Sequence, residues 1–304
     1  MNLKENSISS KILTGKNVLL RVDFNVPLKG SELLDDEKLV RALPTIKYIL
    51  KEAKSLKILT HLGRPEETNL IQDRFSLKPV ANRLSELLGE EVGLAASLKD
   101  LESQVGIVML ENIRFFKGEK NNDKALSKAL SDLADIFVMD AFGTSHRKQA
   151  STYGITEFIN EACVGLLVEE ELSALEKIVS SPNKPLLGII GGSKISTKMK
   201  VIDSLTKHVD YLIIGGALAN TCFKALDKNI GKSLYEEEFV PLAKKIVNHP
   251  KIVLPEYVMV SKGLDSEPLE KNINDLDDDD IIYDVGNESV ENFGSYIDEA
   301  KTII

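Results

Sequence analysis

The segment Val18-Leu19-Leu20-Arg21-Val22-Asp23-Phe24-Asn25 begins as a short apolar run and ends in charged and polar side chains. Because successive residues of the run are apolar, both of its faces would be buried, as in a strand inside a parallel sheet. Similar runs recur along the chain and predict further strands. The candidate strands are Val18–Leu20, Lys57–Thr60, Gly106–Leu110, Ile136–Met139, Leu186–Ile190, Tyr211–Ile214, Lys251–Leu254 and Ile281–Tyr283.

Longer amphipathic stretches separate these runs and predict helices. This alternation of strands and helices predicts an α/β fold with parallel sheets. One helix candidate, residues 165–181, has apolar residues on a single face and ends at a proline-containing turn. We interpret it as a connector, which gives domains at 1–164 and 182–304. The other helix candidates are Leu43–Ala53, Leu77–Leu88, Asp123–Leu133, Lys200–Val209 and Phe239–Val247.

The composition limits the classes of partner. The 304 residues carry a net charge of −9, which argues against a nucleic-acid coat or a protein that binds anionic membranes. No apolar stretch reaches the length needed to span a bilayer, and the first residues do not have the pattern of a secretory signal. The two cysteines, Cys163 and Cys222, form no disulfide framework. We therefore expect a cytoplasmic protein.

Basic residues follow three of the predicted strands in the first half of the chain: His61 and Arg64 follow Lys57–Thr60, Arg114 follows Gly106–Leu110, and Arg147 follows Ile136–Met139. Ligands of open parallel sheets bind at the carboxyl ends of the strands, so these side chains should share one rim. Each alone is compatible with an ordinary surface residue or a loop ion pair. Their recurrence at the same topological position predicts a pocket for a small, multiply anionic molecule.

Glycine pairs follow two predicted strands in the second half, at Gly191-Gly192 and Gly215-Gly216. Bare backbone N–H groups at a helix start, followed by Lys194 and Lys198, suit a phosphate group. The two lysines are four residues apart and are expected to share a helix face. The glycines alone are also compatible with tight structural turns. The acidic run Asp277–Asp280 is interpreted as a solvated loop in preference to a metal site.

The stretch Leu20-Arg21-Val22-Asp23-Phe24-Asn25-Val26-Pro27 resembles the signature of the phosphoglycerate kinase family, particularly its bacterial branch. The resemblance covers essentially the whole chain, with the motifs in the family's order. It implies two Rossmann-like domains joined by a connector helix. The other matching motifs are His61–Pro65, Glu111–Phe115, Asp140–Gly143 with His146-Arg147, Gly191–Lys194 with Lys198, and Gly231–Leu234.

This resemblance implies reversible transfer of the ATP γ-phosphoryl group to the carboxylate of 3-phosphoglycerate, a glycolytic reaction that yields 1,3-bisphosphoglycerate and ADP. It implies Mg-ATP as cofactor, with Mg²⁺ held through the nucleotide phosphates, and a monomeric enzyme. The residues implied to bind 3-phosphoglycerate are Asp23, Phe24, Asn25, Lys38, His61, Leu62, Gly63, Arg64, Arg114 and Arg147. Those implied to bind nucleotide are Gly191, Gly192, Lys194, Lys198, Gly215 and Gly216, and Lys38, Lys194 and Lys198 are the implied catalytic residues.

The sequence departs from the family pattern in two respects. Lys38 stands where the family places a catalytic arginine. The sequence also ends at Ile304, before the family's W-N-G-P and G-G-G-D-[ST] segments. We therefore expect an acceptor domain at 1–164 and a partial nucleotide-binding domain at 182–304, in a chain that binds its acceptor but transfers phosphate poorly or not at all. The alternative function is therefore an inactive phosphoglycerate-binding remnant or fragment. A dinucleotide oxidoreductase is disfavoured, because no G-x-G-x-x-G follows a strand.

Overall fold

The structure, a computed structural model, describes residues 4–263 and 265–304. The chain forms two compact units, one ending at Ala174 and the other running from Leu175 to Ile304. In the part of the chain that the structure describes, no helix combines the length and the apolar character required to cross a bilayer.

The first unit contains strands β1 (Asn17–Val22), β2 (Leu28–Lys29), β3 (Glu32–Leu33), β4 (Ser55–Leu59), β5 (Val92–Ala95), β6 (Ile107–Leu110), β7 (Ile136–Asp140) and β8 (Glu161–Val164). Its helices are α1 (Glu37–Leu50), α2 (Lys78–Leu88), α3 (Leu98–Ser103) and α4 (Lys124–Ser131). Six of the strands form a parallel sheet in the order β5-β6-β4-β1-β7-β8. In its register, Leu20 lies opposite Ile58 and Val138.

Both faces of this sheet are buried. Leu20 belongs to a core cluster on one face, whereas the adjacent Leu19 belongs to a second cluster with Phe137 on the other face. Successive side chains of a strand point to opposite faces, so a strand covered on both sides must be apolar at every position. This double burial explains the uninterrupted apolar runs of the sequence.

Helix α5 (Leu166–Ser180) occupies the position of the expected connector, and the boundary between the compact units falls inside it. Val168, near its start, is buried. Ile178, near its end, packs against the core of the second unit. The helix thus contributes apolar side chains to both units, while the domain limits 1–164 and 182–304 remain a prediction.

The second unit contains strands β9 (Leu186–Ile190), β10 (Tyr211–Ile214), β11 (Ile252–Val253), β12 (Tyr257–Ser261), β13 (Leu269–Asn272), β14 (Ile281–Val285) and β15 (Thr302–Ile303). Its helices are α6 (Met199–His208), α7 (Ala217–Ala225), α8 (Val240–Val247) and α9 (Asn287–Glu299). A four-stranded parallel sheet has the order β11-β10-β9-β15. A separate three-stranded sheet has the order β13-β12-β14.

The predicted parallel pairing is wrong for Ile281–Tyr283. This run lies in β14, which pairs with β12 in the antiparallel direction. Its burial is partial, because Tyr283 is 47% exposed. An antiparallel sheet can leave one face in water, so a run of apolar residues there does not require burial on both sides.

Candidate active site

The loops after β1, β4 and β7 form the rim of the first sheet. The chain places β4, β6 and β5 on one side of β1 and then places β7 and β8 on the other side. The crevice at such a reversal is where open α/β sheets bind ligands. A β-carbon on Gly143, after β7, would lie 3.4 Å from Oδ2 of Asp23, after β1, so these two loops meet.

His61, directly after β4, is held by a buried arginine. Nη2 of Arg21 lies 3.3 Å from Nδ1 of His61, and Nε of the same arginine donates to Oγ of Ser151 at 3.1 Å. Oγ of Ser151 in turn donates to Oε1 of Glu119 at 2.6 Å. The positive charge of Arg21 is therefore balanced inside the unit by a buried carboxylate.

The protonation of His61 follows from this arrangement. Burial and the nearby positive charges of Arg21, Arg114, Arg147 and Lys38 lower its pKa from 6.5 to about 2. The ring is therefore neutral at physiological pH. Because a guanidinium only donates, Nδ1 accepts and the single ring proton lies on Nε2.

Arg114 lies in a single turn of 3-10 helix after β6, where the side chain of Asn112 accepts from its backbone N–H. Its Nη1 donates to the carbonyl of Gly63. Burial, followed by the charges of Arg147 and Arg21, lowers the pKa of Arg114 to about 10, so it stays charged. Its buried Nε has no hydrogen-bond partner among the described residues. This N–H group is therefore left without an acceptor inside the described part of the fold.

Asp23, Asn25 and Lys38 form the other side of the rim. Nζ of Lys38 lies 3.1 Å from Oδ2 of Asp23 and donates to the carbonyl of Asn25 at 3.1 Å. Oδ1 of Asn25 accepts from the backbone N–H of Gly63 at 2.8 Å. Lys38 also lines a cavity of about 290 Å³, shared with Arg41, which is ion-paired to Glu171 at 3.3 Å.

Not every residue expected in the acceptor site presents its side chain there. Phe24 is fully buried in the core, and its N–H donates to Oγ1 of Thr60 at 2.9 Å. Leu62 is also buried, and its backbone N–H and C=O are bonded to Asn112. Arg64, by contrast, is exposed, and its charge acts on Arg114.

The glycine pairs of the second unit lie together at the ends of β9 and β10. Gly216 has φ +66°, and a β-carbon there would lie only 3.1 Å from the carbonyl oxygen of Gly192. That same oxygen accepts from the N–H of Leu218 at 2.9 Å. Glycine is needed at 216 because the φ angle and the close approach both exclude a side chain.

Lys194 and Lys198 follow the first glycine pair, and both are exposed. Within the described residues, neither forms a salt bridge. The expectation that they share a helix face is wrong, because α6 begins at Met199 with Lys198 as its N-cap and Lys194 lies in the preceding loop. They are thus two cations beside a glycine turn at a helix start.

An apolar cavity of about 240 Å³ adjoins the second glycine pair. Gly216, Phe223 and Val258 contribute to its wall. Asn220 is a polar member of the wall, buried to 1% exposure, and its Nδ2 donates to the carbonyl of Leu234 at 3.0 Å. Asp284 is a second polar member, contributed by β14.

Comparison with known proteins identifies the family. The family model described as phosphoglycerate kinase matches residues 8–304. The phosphoglycerate kinase of Vibrio campbellii is 44% identical over 296 residues, covering 96% of this chain and 76% of that protein.

The chain belongs to the phosphoglycerate kinase family.

Solved structures of phosphoglycerate kinases share the fold. The structure from Coxiella burnetii has a TM-score of 0.84 at 40% identity and covers 98% of this chain and 78% of that one. The structure from Pyrococcus horikoshii has a TM-score of 0.82 at 26% identity, with coverage of 98% and 79%. The resemblance stated from the motifs, the α/β fold with two Rossmann-like domains and the assignment as a phosphotransferase are confirmed. The alternative of an inactive remnant or fragment finds no support in these comparisons.

Sequence reasoning missed three buried residues of the acceptor rim. Arg21 lies within the first phosphoglycerate kinase motif, and the signal that could have found it is a charge inside an apolar strand run, which indicates a paired, buried group. Glu119 and Ser151 have no comparable signal, because they are distant from Arg21 in sequence and meet it only through the fold.

Proposed function

We propose that the basic rim of the first unit binds 3-phosphoglycerate and that the glycine loops of the second unit bind ATP or ADP. The reaction is reversible transfer of the γ-phosphoryl group to the carboxylate of 3-phosphoglycerate. One observation carries the proposal: the charges of Arg21, Arg114, Arg147 and Lys38 converge on His61 in a chain whose net charge is −9. A concentration of cations in an acidic protein favours a small anionic ligand.

In the acceptor site, Arg64, Arg114 and Arg147 bind the anionic groups of 3-phosphoglycerate. Support comes from the proximity of these cations, since the charges of Arg147, Arg21 and Arg64 all act on Arg114. His61 donates its Nε2–H as a neutral group. Asp23 and Asn25 accept from the ligand hydroxyl, while Phe24, Leu62 and Gly63 shape the loops through their backbones.

In the nucleotide site, Gly191, Gly192, Gly215 and Gly216 allow the backbone to approach the phosphates closely. Lys194 and Lys198 neutralise phosphate charge. The apolar cavity beside Gly216 accepts the flat base. Its volume of about 240 Å³ suits a ring system rather than a whole nucleotide.

The chemistry requires positioning and charge neutralisation. The acceptor carboxylate, with a pKa of roughly 3.5, is already ionised at neutral pH, so no general base is needed. Lys38, Lys194 and Lys198 stabilise the negative charge that spreads over the equatorial oxygens of the transferring group. Mg²⁺, when bound, neutralises charge on the nucleotide phosphates.

The residues present fit a magnesium ion carried by the nucleotide. Among residues 4–263 and 265–304, one group of three carboxylates brings its oxygens within 4.8 Å of one another: Asp277, Asp279 and Asp280. Lys271 pairs with Asp277 and Asp280 at 2.8 Å and 2.7 Å, and Lys262 pairs with Asp279 at 2.9 Å. These lysines already balance the cluster, so we assign Mg²⁺ to the nucleotide phosphates.

We also propose that the protein acts in the cytoplasm as a monomer, without nucleic-acid or membrane partners. Both cysteines are free and buried, which is compatible with a reducing compartment. Gel filtration with light scattering tests the monomer. A dimer at micromolar concentration would contradict it.

The function is tested by a coupled assay of ATP turnover with Mg²⁺ and 3-phosphoglycerate, beside calorimetric titration of 3-phosphoglycerate. Arg64→Ala and Arg147→Ala are each expected to weaken acceptor binding by about 1.5–3 kcal/mol. Arg83→Ala, which removes an arginine paired to Asp36 and Glu86 on the surface, is the matched control. Unchanged affinity in both site variants would refute the acceptor site.

A further inference from the structure

The loop between Lys194 and Lys198 is held by the side chain of Glu236. Oε2 of Glu236 accepts from the backbone N–H of Ser196 at 2.9 Å, and Oε1 accepts from Oγ of the same serine at 2.6 Å. The backbone N–H of Ile195 also donates to this carboxylate. Donors from two successive loop residues therefore converge on one side chain.

Glu236 is itself held in place by the fold. Its backbone N–H donates to Oγ1 of Thr221 at 3.2 Å, and Thr221 is fully buried in α7. Helix α7 begins directly after the second glycine pair, with Gly216 as its N-cap. On the loop side, Ile195 is fully buried in the core of the second unit. The carboxylate thus connects the loop that carries the two lysines to the helix that follows the second glycine pair.

The charge of Glu236 calls for an explanation, because a carboxylate so close to a phosphate-binding loop repels an anionic ligand. Partial burial raises the pKa of Glu236, but the hydrogen bonds from Ser196 and Ile195 outweigh this effect and lower the pKa below its ordinary value. An ionised carboxylate forms stronger hydrogen bonds with such donors than a neutral group does. Glu236 is therefore suited to holding the loop in one shape.

We propose that Glu236 is a positioning residue, which fixes the loop so that Lys194 and Lys198 present their ammonium groups together to the nucleotide phosphates. Because Ser196 lies midway between the two lysines, a shift of its backbone displaces both. Groups that act on a transferring phosphoryl group must be held closely, since misplacement by about 1 Å can reduce the rate about 10²-fold. The inference rests on the proposed function, because that function assigns phosphate binding to these lysines.

The first test is calorimetric titration of ATP in the presence of Mg²⁺ with three variants at position 236. Glu236→Gln keeps the hydrogen bonds without the charge, since its amide oxygen accepts from the N–H of Ser196 and its nitrogen donates to Oγ. Glu236→Asp keeps the charge but is shorter by one methylene, and Glu236→Ala keeps neither property. We expect Glu236→Ala and Glu236→Asp to weaken ATP binding about tenfold and Glu236→Gln to weaken it less than about threefold.

The sign of the effect separates positioning from simple repulsion. Removal of a negative charge near the phosphates would by itself strengthen ATP binding, so tighter binding by Glu236→Ala would overturn the inference. Parent-like binding by Glu236→Asp would also overturn it, because the charge alone would then suffice. Glu237→Ala is the matched control: it removes the same charge from the next residue, which is exposed, and should bind ATP as the parent does.

The second test determines whether the effect of Glu236 passes through the lysines. Lys198→Ala is expected to weaken ATP binding about tenfold in the parent but about threefold or less in the Glu236→Ala background, because a lysine that is no longer positioned contributes less. Equal losses in the two backgrounds would show that the two residues act independently and would overturn the inference. If Glu236→Ala does not fold, Glu236→Asp takes its place in this cycle.

Turnover of ATP with 3-phosphoglycerate separates this inference from the proposed function. If the parent transfers phosphate and the three variants at position 236 bind and react as Glu237→Ala does, the positioning role is refuted and the proposed function stands. A parent that neither binds ATP nor transfers phosphate refutes the proposed function and this inference with it.

Discussion

Arg21 and His61 meet inside the first unit, with Nη2 of the arginine 3.3 Å from Nδ1 of the imidazole. This contact assigns the tautomer of His61, since the arginine can only donate. It also places a permanent positive charge beside the ring. Burial of the imidazole and the charge of this fully buried arginine together keep His61 neutral and leave its Nε2–H for a ligand.

The first prediction concerns the dependence of stability on pH. The pKa of His61 is about 2 in the folded chain against an ordinary 6.5, so below pH 6.5 the unfolded chain binds a proton there and the folded chain does not. Lowering the pH from 7 to 5 should therefore reduce the free energy of unfolding through this residue by about 2 kcal/mol. Urea denaturation followed by circular dichroism at pH 7 and pH 5 measures it.

His61→Gln is the matched variant for this prediction, because glutamine stays neutral throughout. Burial raises the pKa of Glu119, which has the opposite effect on stability as the pH falls, but Glu119 is present in both proteins. The difference between parent and variant therefore isolates His61. Identical pH dependence in the two proteins would contradict the depressed pKa.

The second prediction concerns the buried charge pair. Glu119→Gln removes the carboxylate that balances Arg21, and an uncompensated buried charge should lower the free energy of unfolding by about 3–5 kcal/mol. Adding Arg21→Met should recover part of the loss, because no buried charge then remains unpaired. Glu86→Gln, at a surface ion pair, should change stability little. An equal effect of Glu119→Gln and Glu86→Gln in urea denaturation would refute the pairing.

The sequence predicted the central strands whose side chains are buried on both faces of the sheet. Val18–Leu20 and Ile136–Met139 are apolar at every position because helices or loops cover both faces of their sheet, and that pattern is readable without a structure. Strands β12 and β13 were missed. Leu269–Asn272 contains Glu270 and Lys271, and it belongs to an antiparallel sheet with partial burial, which carries no such pattern.

The candidate site was predictable to the extent that it lies at strand ends. His61 and Arg64 follow β4, Arg114 follows β6 and Arg147 follows β7, and the topology brings these three loops to one rim. The partners that set their chemistry were not predictable. Glu119 reaches Arg21 through Ser151, a contact between residues far apart in the chain that only the packed structure defines.

The third prediction concerns Lys38. Its ammonium lies 3.1 Å from both Oδ2 of Asp23 and the carbonyl oxygen of Asn25 and acts as a point charge, whereas a guanidinium can bind two phosphate oxygens at once. Lys38→Arg should therefore raise kcat for phosphoryl transfer by about tenfold and leave the affinity for ATP unchanged. The coupled assay and calorimetry measure the two quantities.

Arg41→Ala tests whether Arg41, rather than Lys38, stabilises the transferring phosphoryl group. Arg41 lies on the same helix as Lys38 and is held by Glu171 at 3.3 Å, so we expect Arg41→Ala to have a small effect on kcat. A loss of activity in Arg41→Ala, combined with no gain in Lys38→Arg, would show that Arg41 performs the role instead.

The fourth prediction concerns the two lysines beside the first glycine pair. Lys194 and Lys198 are exposed, and neither is in a salt bridge with a described residue, so each is free to bind phosphate oxygens. Replacing either by alanine should weaken ATP binding about tenfold at low ionic strength, because a charge-assisted hydrogen bond is lost. The difference should shrink as salt is added, since exposed charges are screened beyond roughly 10 Å at 0.1 M salt.

Lys200→Ala, which removes an exposed lysine inside α6 beyond the proposed phosphate loop, is the control and should bind ATP as the parent does. Calorimetric titration of ATP at two salt concentrations decides the matter: equal losses in all three variants would mean that ATP responds to the general charge of this surface rather than to Lys194 and Lys198.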